Sequence, residues 1–113
     1  MSFFATLLGA TAQQNGPITI LDKTTFNEAI QAGPVQLVDV RTPEEYQAGF
    51  IKDAVNIDFF DEANFTTKFE KFDKDKPIYV YCRSGNRSQK AAAKLVAMGF
   101  KEIYDLKGGY MNW

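Results

Sequence analysis

Two runs of extended-chain character constrain what this chain can build. Residues 35–40 read Val-Gln-Leu-Val-Asp-Val, and residues 78–81 read Ile-Tyr-Val-Tyr. Both have strand length and are rich in β-branched or aromatic side chains. Strands without strict polar alternation are buried on two faces, the habit of parallel sheets. Shorter runs at residues 18–21, 54–57 and 103–106 fit the same description. Helical signals lie between them, so strand and helix alternate about five times along the chain. The connections are too long for simple hairpins. The expected architecture is α/β, with about five mostly parallel strands and helices on both faces.

The punctuation agrees with this order. Asp22 or Thr24 can cap a helix carrying Phe26, Ala29 and Ile30 on one face, and Gly33-Pro34 stops it. Thr42 is an N-cap, Pro43 suits the first helical position, and Thr42 to Glu45 has the form of a capping box. Tyr46 and Phe50 are expected on the inward side, and Gly49 breaks that helix. Phe65, Phe69 and Phe72 share one helical face within residues 58–72, where core packing is their expected fate. Residues 73–77 form a polar turn. A helix is expected from Ser88 to about Met98-Gly99, and Gly108-Gly109 turns the chain before Tyr110.

The 113 residues suit one domain, expected over residues 17–113. Residues 1–16 are expected to form an N-terminal arm or short helix. The first 21 residues carry no charge, lack a basic segment, and have too short an apolar run to span a bilayer. A cytoplasmic location is expected, and an exported form with a trimmed signal stays open. No membrane partner is expected. Thirteen basic residues against fourteen acidic ones leave a net charge of −1, which does not suit a nucleic-acid binder. There is no histidine and one cysteine, Cys82. His-based general bases, Ser-His-Asp and Cys-His arrangements and His-ligated metals are excluded, as are internal disulfides and Cys-x-x-Cys pairs. No metal or cofactor site is expected.

Chemistry is therefore expected at Cys82. It directly follows the 78–81 strand and precedes Arg83, Ser84, Gly85, Asn86, Arg87 and Ser88. In parallel α/β sheets, ligands meet the carboxyl ends of strands. A short loop feeding a helix can turn its N–H groups onto one point. Those donors, the helix N-terminus and nearby arginines favour a thiolate and hold an anion beside it. Arg87 is expected to shape the pocket, Arg83 to stand at its rim, and Ser88 to cap the following helix. Asp39 ends a central strand near the same sheet edge. Arg41 is expected to pair with an acidic neighbour, Glu44 or Glu45.

From Ile18 to Trp113 the chain resembles the single-domain rhodaneses, the thiosulfate-type sulfurtransferases. Residues 82–88 look like their active-site loop. Residues 37–41 with Glu44, Glu45 and Tyr46 look like an upstream signature, and residues 49–57 like the next. Residues 106–109 and Trp113 resemble the closing segment. Phe50 stands where the family commonly has histidine. The resemblance implies a rhodanese-like domain and sulfane-sulfur transfer through a Cys82 persulfide. The donor would be a small anion such as thiosulfate, and the acceptor cyanide, a thiol or a protein. It also implies that Asp39 braces the active loop by hydrogen bonding. A soft nucleophile and stabilised anionic sulfur suffice for this chemistry, without cofactor or metal.

Two other classes compete. A rhodanese-like domain can serve as a binding or sulfide-sensing module. Cysteine-dependent phosphatases and arsenate reductases also place an anion-cradling loop between strand and helix, but their pattern is Cys, five residues, then Arg. Here four residues separate Cys82 from Arg87, and Ser88 occupies the place where arginine is needed.

Overall fold

The computed structural model describes residues 12–113. Strands are β1 (Ala12–Asn15), β2 (Ile18–Leu21), β3 (Gln36–Asp39), β4 (Val55–Asn56), β5 (Ile78–Tyr81) and β6 (Ile103–Leu106). Helices are α1 (Lys23–Gln31), α2 (Pro43–Ala48), α3 (Glu62–Phe69) and α4 (Asn86–Ala97), with a 3-10 turn at Tyr110–Asn112. The sheet order is β1-β2-β6-β5-β3-β4. Every pairing is parallel except β1 with β2.

The sheet has six strands where about five were expected. The extra one is β1, in a segment expected as an arm or helix. Gly16 adopts φ +62° beside Pro17, which turns the chain back so that polar β1 can hydrogen-bond to β2. Residues 1–11 of the expected arm lie outside the described residues. Among the described residues, no helix is long and apolar enough to cross a membrane.

Alternation along the strands divides the core. Val38, Val40, Val80, Cys82 and Ile103 face one side, where Phe65 and Phe69 of α3 and Ala91, Ala92 and Leu95 of α4 cover them. Leu21, Leu37, Tyr79, Tyr81 and Leu106 face the other, against Phe26 of α1, with Tyr46 of α2 and Trp113 packed at the edge. The helices therefore lie on both faces of the sheet.

Local signals set the helix ends. Asp22 accepts from the Thr25 N–H at 2.9 Å. The Thr42–Glu45 capping box forms in both directions, with Pro43 in the first turn. Phe50 does not turn inward. It is 44% exposed and stacks on Tyr46, with ring centroids 4.1 Å apart. Because α2 stops at Ala48, helical spacing no longer governs position 50.

Candidate active site

β3 and β5 run side by side, and their carboxyl ends stay joined beyond the ladder. The Val40 N–H donates to the Tyr81 carbonyl at 2.9 Å. This contact sets the segment after Asp39 next to the one after Tyr81. Cys82 is the first residue past β5, only 1% exposed. Its sulfur forms the floor of the turn into α4.

That turn is tighter than expected. Gly85 takes φ +104°, outside the range comfortable for side chains, and the chain enters α4 at Asn86 instead of Ser88. The same conformation brings the Gly85 N–H to 3.1 Å from Cys82 Sγ, as a donor. Ser88 therefore lies inside the first turn and does not cap it. Its buried hydroxyl accepts from the Cys82 thiol at 3.5 Å and donates to the Gly85 carbonyl at 3.3 Å. The early N–H groups of α4 have no acceptor within the helix. With the Gly85 N–H already on the sulfur, this end of the helix presents backbone donors beside Cys82.

The two arginines differ. Arg87 gives a two-pronged pair to Glu45, at 2.8 and 2.9 Å. Glu45 simultaneously accepts from the Thr42 N–H at 2.9 Å, so the α2 cap and the active loop share one carboxylate. The Arg87 hydrogen bonds, outweighing the cost of burial, hold the Glu45 pKa at about 2. The Arg87 pKa is raised, first by Glu45 against partial burial, then by the charges of Glu45, Cys82 and Asp58. Phe60 packs on the same guanidinium at 5.4 Å. Arg87 is thus committed to Glu45 and packed by Phe60. Arg83 is exposed, and among the described residues no ion pair engages it. Ser84 and Asn86 are exposed beside it.

Asp39 and Arg41 sit one layer away. Arg41 pairs with Asp39, not with Glu44 or Glu45. Its Nη2 donates to Asp39 Oδ2 at 2.6 Å, its Nε to Oδ1 at 3.0 Å, and its backbone N–H to Oδ1 at 2.9 Å. Extended backbone puts residues i and i+2 on one side, which explains the pairing. Both residues are buried, at 0% and 4% exposure. Arg41 also donates to the Gly49 carbonyl at 2.6 Å and lies 4.3 Å from the Tyr110 ring centroid. The Asp39 carboxylate meets Arg41, so any bracing of the Cys82 loop runs through Arg41 and Tyr110.

Tyr110 fastens that loop from behind. Its N–H donates to the Cys82 carbonyl at 2.8 Å, and the Met111 N–H to the Arg83 carbonyl at 3.0 Å. Gly109 makes the approach possible. At φ +67°, a Cβ there would lie 2.4 Å from the Arg83 carbonyl oxygen and 2.7 Å from that of Cys82. Gly109→Ala is expected to cost about 2–4 kcal/mol, from strain and overpacking combined. Urea unfolding measures it, and a loss below about 1 kcal/mol would show that the loop yields easily.

Three contributors were not singled out as site residues from sequence. Glu45 lies 42 positions from its partner Arg87, a separation no local pattern reveals. Tyr110 acts through its backbone. Asp105 is buried on β6 on the same sheet face as Cys82. Its signal was visible as an acidic residue inside an otherwise strand-forming run.

Comparison with known proteins matches this arrangement. Residues 22–113 match the rhodanese-like domain family. The chain is 40% identical over 86 residues to the thiosulfate sulfurtransferase GlpE of Pseudomonas syringae pv. syringae, covering 76% of this chain and 78% of that one. A rhodanese-related protein from Thermoplasma volcanium has a TM-score of 0.70 at 31% identity, over 82% of this chain and 87% of that one. The human single-domain sulfurtransferase TSTD1 shares the fold with a TM-score of 0.71 at 23% identity, over 88% of this chain and 96% of that one. With a matching family over residues 22–113 and a sulfurtransferase relative at 40% identity, the chain belongs to the rhodanese-like family.

Proposed function

We propose that this protein moves sulfane sulfur from an anionic donor to a thiophilic acceptor through Cys82. The observation that carries the reading is the Gly85 N–H, 3.1 Å from Sγ at the mouth of α4. A donor held there presents its outer sulfur to the thiolate. The Cys82 sulfur forms a bond to that atom as the donor's S–S bond breaks. Its electron pair leaves with sulfite when thiosulfate is the donor. The persulfide's terminal sulfur carries the new negative charge, which the Gly85 N–H and the α4 N-terminus are placed to stabilise. Cyanide, a small thiol or a protein thiol then removes that sulfur and restores Cys82. Exposed Arg83 supplies the guanidinium for the incoming anion, while Arg87 is committed to Glu45. A reduced thiol at the centre of the cycle fits a cytoplasmic location.

Ser88 opposes a phosphatase reading. It fills the position where the phosphatase pattern has arginine, and its hydroxyl is engaged at the sulfur itself. The deciding experiment is intact-protein mass after thiosulfate exposure. The expected result is a gain of about 32 Da, reversed by cyanide. An unchanged mass with both thiosulfate and polysulfide would favour the binding-module reading instead.

A further inference from the structure

Asp105 is an acidic residue with 1% exposure, and its Oδ1 has no hydrogen-bond partner among the described residues. Such a group bears a desolvation cost with little return. Strand alternation shows which way it faces. Tyr104 and Leu106 turn to the α1 side and Ile103 to the α4 side, so Asp105 also faces α4. Parallel pairing sets it beside Val80, two residues before Cys82 on the same face of β5. Thiol and carboxyl therefore occupy one face of adjacent strands, offset by about 7 Å along the strand direction.

Ser88 connects them. It is fully buried on α4 with Ala91 and Ala92, above this face. Its Oγ accepts from the thiol at 3.5 Å, and the same side chain lowers the Asp105 pKa against the effect of burial. The hydroxyl donates to the Gly85 carbonyl at 3.3 Å, and a proton passed to Asp105 requires it to rotate away from that carbonyl. The strand neighbours of Asp105 are apolar Val80 and Ile20. Among the described residues, the charged groups near the sulfur are exposed Arg83 on its own loop, Arg87 with its partner Glu45, and Asp58 beyond Arg87. Burial raises the Asp105 pKa to about 7, against the lowering effect of Ser88. The chain has no histidine to serve as a base.

We propose that Asp105 shares a proton with Cys82 through the Ser88 hydroxyl. The thiol S–H bond breaks and its electron pair stays on sulfur. Ser88 Oγ takes that proton and passes its own to an Asp105 carboxylate oxygen. One negative charge is conserved, moved from carboxylate to sulfur. Asp105 is a positioning residue, because it acts on the sulfur only through Ser88. It holds the proton while Cys82 is thiolate or persulfide. Only the persulfide clause rests on the sulfur-transfer reading, since the proton exchange needs no donor.

Because Cys82 is the sole cysteine, iodoacetamide alkylation of the full chain reports this sulfur alone. Across roughly pH 5 to 10, the wild-type rate should rise in two steps, as a coupled pair loses two protons. Asp105→Asn should collapse the profile to one step, with the upper step gone. An Asp105→Asn profile identical to wild type would overturn the proposal. A second measurement needs no substitution. Infrared spectra with carbon-13-labelled aspartate follow the buried carboxylic acid as pH rises. Alkylating Cys82 to a neutral thioether should move the loss of that band about one pH unit lower. An unmoved band would also overturn the proposal. Absence of persulfide would end the sulfur-transfer reading and leave both profiles intact. Normal persulfide formation with uncoupled titrations would end this proposal alone.

Discussion

Cys82→Ser is expected to reduce thiosulfate-dependent sulfur transfer by at least about 10³-fold, because no other residue can carry the sulfur. The serine oxygen is a much poorer nucleophile toward sulfur and has no persulfide form. Folding should change little. The replacement conserves shape, and a hydroxyl at this position retains the Gly85 N–H as a donor and Ser88 as a neighbour. The stability change should stay within about 1 kcal/mol. The measurement pairs steady-state thiocyanate production with urea unfolding of the same preparation. Residual transfer at a tenth of the wild-type rate would end the persulfide mechanism. Loss of activity accompanied by unfolding would instead show that the position is structural.

The second large effect is expected at Arg41. Asp39 is wholly buried, and Arg41 supplies three hydrogen bonds from its side chain to that carboxylate, besides one from its backbone. Arg41→Met keeps much of the side-chain volume and removes the charge. It leaves the carboxylate buried without its counter-ion, which costs about 3–5 kcal/mol. The double variant Asp39→Leu with Arg41→Met removes both charges and should recover most of that loss, since apolar replacement of a whole buried pair is often neutral. Thermal and urea unfolding of both variants test this. A single variant as stable as wild type would show that the pair does not hold the sheet edge. Activity adds a separate reading. Arg41 packs on Tyr110, whose N–H holds the Cys82 carbonyl, so the double variant should stay folded but transfer sulfur more slowly.

The parts legible in the sequence are those fixed by near neighbours. The Thr42–Glu45 cap forms as its spacing implies, and the four residues of β5 are all buried, as an uninterrupted apolar strand requires. Cys82 lies at a strand end because Arg83 and Gly85 cannot continue that strand. The start of α4 was displaced by two residues because a left-handed Gly85, not a Ser88 side chain, admits the chain to the helix. Arg41 found Asp39 because extended geometry at the end of β3 overrode the nearness of Glu44 and Glu45 in sequence. β1 was obscured by its composition. Ala-Gln-Gln-Asn has little strand preference, and only the turn at Gly16 and the free edge of β2 recruit it. Pairs such as Glu45 with Arg87, or Cys82 with Asp105, depend on sheet order. That order cannot be read from a single strand.

The fastening of the Cys82 carbonyl by Tyr110 also bears on how the protein folds. Residue 82 is synthesised well before residue 110, and the contact closes only when β6 has paired between β2 and β5. Parallel pairing over such separations is slow compared with local helix formation. The nascent or refolding chain therefore carries its thiol without the final clasp until the closing segment docks. Irreversible oxidation during that interval would leave a well-packed molecule with no sulfur carrier, so folded yield and active yield are separate quantities for this protein.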